Sequence, residues 1–259
     1  MHLEDPRFPP LLTGHGVKAP AVPFEIACRG AADGTYGAAD VIYARNTRKA
    51  ELALVLEPDV PRRQALHMLP LFELAAIEAV GALMPPKTSV LLRWPQTLLV
   101  NVGVAGRFRF AMSSCASDEI PDWMVVGVQI DLEHDDAERE PGLMRDRTTL
   151  HGEGGGELTR SDVLEVIGSY VLSWIDSWQE AGQTAAAFAE SWIGRVEGHE
   201  APAPMHLDGA SGENVTAQVL GLDDEPQVLV KVAEGDVRAL AFESLLEPAT
   251  VASARMQSP

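Results

Sequence analysis

Apolar positions along the chain fall into short runs, some with a period of two and some near 3.6, separated by polar or glycine-rich stretches. The densest region is Leu91–Gly106, where the apolar runs Val90–Leu92 and Leu98–Val100 flank Trp94-Pro95. Pro95 fixes its own φ and biases Trp94 toward extended backbone, and Gly103 and Gly106 permit a tight turn or a close approach. The pattern predicts a strand, a Trp-Pro turn, a second strand and a glycine-punctuated entry into a third. In that third strand Phe108, Phe110 and Met112 alternate with Arg107, Arg109 and Ala111, giving one apolar and one polar face.

The same reading along the rest of the chain predicts strands over Phe24–Ala27, Asp40–Ala44, Glu51–Leu56 and Trp123–Leu132. A long helix is expected over Arg62–Leu83, with an apolar stripe from Leu66 to Val80, a kink or restart at Pro70 and a stop at Pro85-Pro86. A second is expected from Asp162 to Ala181, capped by Thr159 or Ser161, and a third over Ala185–Arg195. Residues 1–23 are proline-rich and read as an irregular lead-in, and Glu133–Glu140 as an acidic solvated loop. Glu197–Glu213 reads as a linker or long loop. After it, Val215–Leu220, Gln227–Val232 and Val237–Phe242 read as strands of a small barrel or meander, with a frayed C-terminus. Two domains are expected, 1–198 and a small β domain over 199–259.

Composition narrows the partners. The 259 residues carry 38 acidic and 20 basic side chains, a formal net charge of −18. Nucleic acid and anionic membranes are therefore not expected partners, since both call for a basic footprint. No signal or transit pattern and no run of membrane-spanning length stands out, so a cytoplasmic location is expected. Cys28 and Cys115 form no metal or disulfide spacing. The lysines are Lys18, Lys49, Lys87 and Lys231, which restricts any mechanism that needs one. The segment Cys28–Gly37 reads as a glycine-rich loop in which Arg29 and Gly30 could cradle a phosphate, although it matches no P-loop or dinucleotide fingerprint.

The stretch Arg93-Trp94-Pro95-Gln96-Thr97-Leu98-Leu99-Val100-Asn101, followed by Gly103-Val104-Ala105-Gly106, resembles the biotin–protein and lipoate–protein ligase family. That family's pattern there is a basic residue, Trp-Pro-Asn-Asp, an apolar strand and Lys-x-x-Gly. Gly127-Val128-Gln129-Ile130-Asp131 resembles its later strand, usually Gly-x-Gly-Ile-Asn, and Arg29-Gly30 falls where it carries an Arg/Gly-rich adenylate loop. The resemblance covers about residues 20–245 and implies an α+β fold. It would be the class II synthetase-like catalytic fold, a mixed sheet with helices, followed by a small SH3-like barrel.

The resemblance further implies ATP, with Mg, and a biotin- or lipoate-type carboxylic acid. The acid becomes an acyl-adenylate and then passes to a lysine of a biotinyl or lipoyl carrier domain. Homodimers occur among relatives. On the ligase reading Arg29, Arg93 and Arg107 would handle the phosphates, Arg107 from outside the family position. Gly30, Arg93, Trp94, Pro95, Gln96, Thr97, Asn101, Gly103, Gly106, Gly127 and Asp131 would line the ligand site. The departures lie in the polar residues: Gly103 stands at the family lysine, Gln96-Thr97 at its Asn-Asp, and Asp131 at its Asn. Lys49, Arg107 and Arg109 are candidates to supply the missing cation. Two alternatives stay open. One is a non-catalytic binder of such an acid or of a carrier protein. The other is an acyltransferase using Cys115, or Cys28 beside Arg29, as nucleophile.

Overall fold

Two-residue periodicity sets the architecture, because it sends alternate side chains of each central strand to opposite faces. The structure is a computed structural model that describes residues 4–134, 146–207, 214–223, 225–232 and 235–248. The strands β1 (Thr13–Val17), β2 (Asp40–Ala44), β3 (Lys49–Leu56), β4 (Val90–Arg93), β5 (Thr97–Val100), β6 (Gly103–Met112) and β7 (Met124–Asp131) form one sheet. Their order is β1-β2-β3-β7-β6-β5-β4. The β1–β2 pair is parallel and the other pairs are antiparallel, which makes the sheet mixed.

On one face Leu52, Leu54, Phe108, Phe110, Val126, Val128 and Ile130 enter the main core. Helices α2 (Arg62–Ala65), α3 (Met68–Leu83) and α4 (Arg160–Glu180) cover that face. The expected long first helix is thus two, parted at Leu66-His67 just ahead of Pro70, whose ring cannot follow an uninterrupted turn. Arg62–Leu83 is apolar enough over 18 residues to suit a membrane, but 78 % of that stretch is buried, as in a core helix. Helix α4 begins in a reciprocal capping box between Thr159 and Asp162.

The opposite face is only partly covered. There α1 (Pro23–Asp33) lays Phe24, Ala27 and Cys28 against Ile42, Ala53, Val55, Ala111 and Val125. This corrects two sequence expectations, the strand over Phe24–Ala27 and the loop carrying Arg29 and Gly30. Pro23 sits at the first helical turn, where it is favoured, and Phe24, Ala27, Cys28 and Ala31 recur at helical spacing. Gly30 lies inside the helix because the Tyr36 ring packs on it: a Cβ there would stand 2.1 Å from Tyr36 Cδ2. Gly34, at φ 75°, ends the helix in the left-handed region. The lead-in also differs from expectation, since Thr13–Val17 is the edge strand β1, hidden in sequence by Gly14 and Gly16, which Phe8 and Tyr43 cover.

The expected third helix is a single 3₁₀ turn, Ala185–Ala187, and the short α5 (Ala189–Ile193). A second, four-stranded antiparallel sheet follows, made of β8 (Ala203–His206), β9 (Asn214–Leu222), β10 (Gln227–Val232) and β11 (Val237–Ala241) in that spatial order. Strand β8 lies within the stretch expected to be a linker. Most of the Glu133–Glu140 acidic run and the final residues fall outside the described residues.

The two sheets meet at Trp94. Its ring is 1 % exposed and stands edge-on to Phe242, with centroids 5.1 Å apart, and Phe242 in turn meets Trp192 at 5.7 Å. Trp192 Nε1 donates to Glu73 Oε2 at 3.1 Å. Glu73, on α3, is fully buried, and burial holds its carboxyl well above the ordinary carboxylate range. Native Glu73 therefore keeps its proton where the unfolded chain, titrating near about 4.3, has lost it. Stability falls as pH rises through that interval. Glu73→Gln keeps an acceptor for Trp192 and removes this penalty. Thermal melts should show a higher Tm for the variant at pH 8, with the gain shrinking toward zero as the pH falls through about 4.3; a Tm lowered equally at every pH would contradict a protonated Glu73.

Candidate functional site

The half-covered face of the first sheet carries the polar chemistry. Antiparallel register sets Glu51 of β3 opposite Gln129 of β7, Gln129 opposite Arg107 of β6, and Arg107 opposite Thr97 of β5. One row of polar residues thus crosses four strands. A cleft of about 280 Å³ opens over this row beside α1, walled by Val22, Phe24 and Glu25, floored by Gly127, Val128 and Gln129, and flanked by Glu51, Leu52, Arg107 and Arg109. Gly127 admits the Phe24 ring, which a Cβ would approach to 2.8 Å. Gly106 admits the neighbouring strand, since a Cβ would lie 2.4 Å from the Gln129 carbonyl oxygen.

Most cations around the cleft are already matched by carboxylates. Arg109 makes a two-pronged contact with Glu247 at 2.7 and 2.6 Å and stacks over Phe24 at 4.3 Å. Glu247 arrives because its backbone N–H donates to Phe110 O at 2.7 Å, which brings the end of the C-terminal module onto β6. Asp131, buried at the end of β7, receives Arg147 at 2.6 Å and Lys49 at 3.7 Å. Arg107 is exposed and forms no ion pair among the described residues. Glu51 is half-buried, and desolvation pushes its carboxyl up, opposed by the nearby charges of Lys49 and Arg109.

Several residues expected in the site are elsewhere. Arg29 is exposed on α1, one helical turn beyond Glu25 and away from the cleft, and Gly30 packs against Tyr36. Arg93 is clamped by Glu197 at 2.5 and 3.0 Å. Trp94 belongs to the joint with the C-terminal module, next to the cis Trp94–Pro95 peptide. Gln96 donates from Nε2 to Leu245 O at 3.2 Å in the same joint. Asn101, at φ 55°, donates to Glu153, which also accepts from Thr148 Oγ1 at 2.6 Å. At Gly103, where the resemblance expects a lysine, a Cβ would stand 2.7 Å from Thr148 Cβ. Arg107, Gly127, Thr97 and Asp131 do share the open face, and Gly106 lies at its β6–β7 crossing.

Sequence reading missed Glu51, Gln129 and Glu247. Glu51 had a signal, as a charged residue within an otherwise apolar strand. Gln129 stands at the second glycine of Gly-x-Gly-Ile-Asn, so an amide side chain occupies that part of the floor. Glu247 had none, because its partner Arg109 lies 138 residues away. A larger cavity, about 660 Å³, lies at the start of α4, but Glu4, Glu133, Glu157, Asp162 and Glu165 line it. Its Arg160 is committed to the Ala44 and Glu4 carbonyls. That acidic lining disfavours an anionic ligand.

The mixed seven-stranded sheet with helices on one face and an open polar cleft on the other defines the α+β fold of biotin protein ligases. The Aquifex aeolicus biotin protein ligase without ligand superposes with a TM-score of 0.67 at 16 % identity, over 89 % of this chain and 97 % of that one. The same ligase in complex with biotin and ATP gives 0.65 at 16 % identity, over 89 % and 96 %. A biotin protein ligase-like protein of unknown function from Silicibacter sp. TM1040 shares 31 % identity over 93 % of this chain and 99 % of its own, with a TM-score of 0.79. No curated protein matches in sequence. The profile of the biotin/lipoate A/B protein ligase family matches residues 8–194, and the chain belongs to that family.

Neither cysteine is set up as a thiolate nucleophile. Burial pushes the Cys28 thiol up to about 12, and Cys115 is also raised, its Sγ lying 3.8 Å from the Glu119 carbonyl oxygen. Iodoacetamide at pH 8 with mass-spectrometric readout should leave Cys28 unmodified in the folded protein and label Cys115 no faster than a free thiol. Rapid labelling of either one would contradict this assignment.

Proposed function

We propose that the chain binds a small carboxylic acid of the biotin or lipoate type in the cleft over Gly127, with Arg107 as the carboxylate's partner, and that it forms no acyl-adenylate. The observation carrying this reading is the pairing pattern: Arg107 is the cleft cation without an ion pair among the described residues, whereas Arg109, Lys49 and Arg147 each face a carboxylate. One unpaired guanidinium suits one carboxylate. A triphosphate in transfer needs several unopposed cations. The family lysine's place is Gly103, filled by Thr148, and Arg29 stands on α1 rather than in a phosphate-holding loop. Among the described residues, these positions do not supply the nucleotide site that the resemblance implies. Family membership favours the second reading, an ATP-dependent ligase that presents the acid to a carrier domain.

Calorimetric titration with biotin, lipoate and octanoate, each with and without ATP and Mg, separates the two when paired with an assay for pyrophosphate. A lipoylated carrier domain serves as a further ligand in the same series. We expect at least one acid to bind with an affinity indifferent to ATP and no pyrophosphate to appear. Arg107→Ala should weaken binding by about tenfold or more, the worth of one charge-assisted hydrogen bond. Acid-dependent pyrophosphate release would establish the ligase reading, and no binding by any acid would overturn the carboxylate site.

A further inference from the structure

The row that places Arg107 also places a carboxylate at its other end. Glu51 and Arg107 flank Gln129 on neighbouring strands, so their backbones stand about 10 Å apart, two strand spacings. Both side chains line the same cleft. Resting on the reading of this cleft as an acid site, we propose that its ligand is an acid carrying an ammonium group at its far end. The ligand carboxylate meets Arg107 and the donor meets Glu51, which makes Glu51 the residue that selects against bare alkyl acids.

Glu51 is half-buried, and neither a hydrogen bond nor an ion pair to another described residue engages its carboxylate. A carboxylate removed from water without a partner is costly, and a donor on the ligand supplies that partner. The charge count favours the same ligand. The cleft is lined by Glu25, Glu51, Arg107 and Arg109, and Arg109 is already bound to Glu247, which leaves one acid in excess. A purely anionic ligand adds to that excess, whereas a zwitterion leaves it unchanged. The neighbouring charges do not substitute for the ligand's donor. Lys49, on the same face of β3, is engaged by Asp131, and Gln129 donates its amide to Asp131 at 3.3 Å.

The test compares octanoate with 8-aminooctanoate, which share a chain and differ at the far end, on the full-length protein and on Glu51→Gln, Glu51→Asp and Arg107→Ala. The wild type should bind 8-aminooctanoate about tenfold tighter than octanoate, the worth of one charged contact. Glu51→Gln should bring the two within about twofold, and Glu51→Asp, which keeps the charge, should retain part of the preference. Arg107→Ala should weaken both. Equal affinities in the wild type, or a preference that survives Glu51→Gln, would overturn the role of Glu51 while leaving the acid site standing. If octanoate, 8-aminooctanoate, biotin and lipoate all fail to bind, the acid site falls and this inference with it.

Discussion

Alternation of side chains across β3, β7 and β6 divides the molecule into two chemistries. The apolar set, Leu52, Leu54, Phe108, Phe110, Val126 and Val128, is drawn under α3 and α4. This commits the intervening residues, among them Glu51, Arg107, Arg109 and Gln129, to the other face. Helix α1 is too short to cover that whole face, and what it leaves bare is the polar row. A one-residue slip of register would bury those charges and expose the core, so the same burial that stabilises the sheet fixes where the cleft's side chains point.

The Trp-Pro segment, the densest point of family resemblance, turns out to hold the molecule together rather than to face the cleft. Trp94 stands edge-on to Phe242 from the C-terminal module, which in turn meets Trp192. Truncating a buried Trp costs about 3–5 kcal/mol, a large share of a domain's stability. The adjacent polar contacts serve the same joint: Arg93 with Glu197, Gln96 with the Leu245 carbonyl, and Leu92 with the backbone of Arg195 and Glu197. Through this joint the C-terminal module reaches β6 and sets Glu247 against Arg109. The module thus shapes the cleft's charge without forming its floor.

The strands and long helices with clean periodicity were legible in the sequence, as were the two faces of β6 and a cap at Thr159 or Ser161, which Thr159 provides. Helix α1 was not, because Gly30 and the small residues Ala27, Cys28 and Ala31 read as loop until Tyr36 is seen to cover the glycine. Strand β1 was hidden by Gly14 and Gly16 in the same way. Of the residues expected in the site, Arg107 and Gly127 line the same cleft, as does Arg109, which stood among the candidate cations. The pairing that decides which cations are free was not readable, since Arg109–Glu247, Arg93–Glu197 and the Gly103–Thr148 contact join residues far apart in the chain. Sequence position locates a side chain on a strand; only tertiary pairing says whether its charge is still available.

We propose on this family fold a carboxylate site without adenylate chemistry. A crystal structure of the protein grown with ATP, Mg and the tightest-binding acid tests it most directly. Intact acid over Gly127 with its carboxylate against Arg107 is the expected result; an acyl-adenylate in the cleft, or the acid bound away from Arg107, would contradict the proposed site.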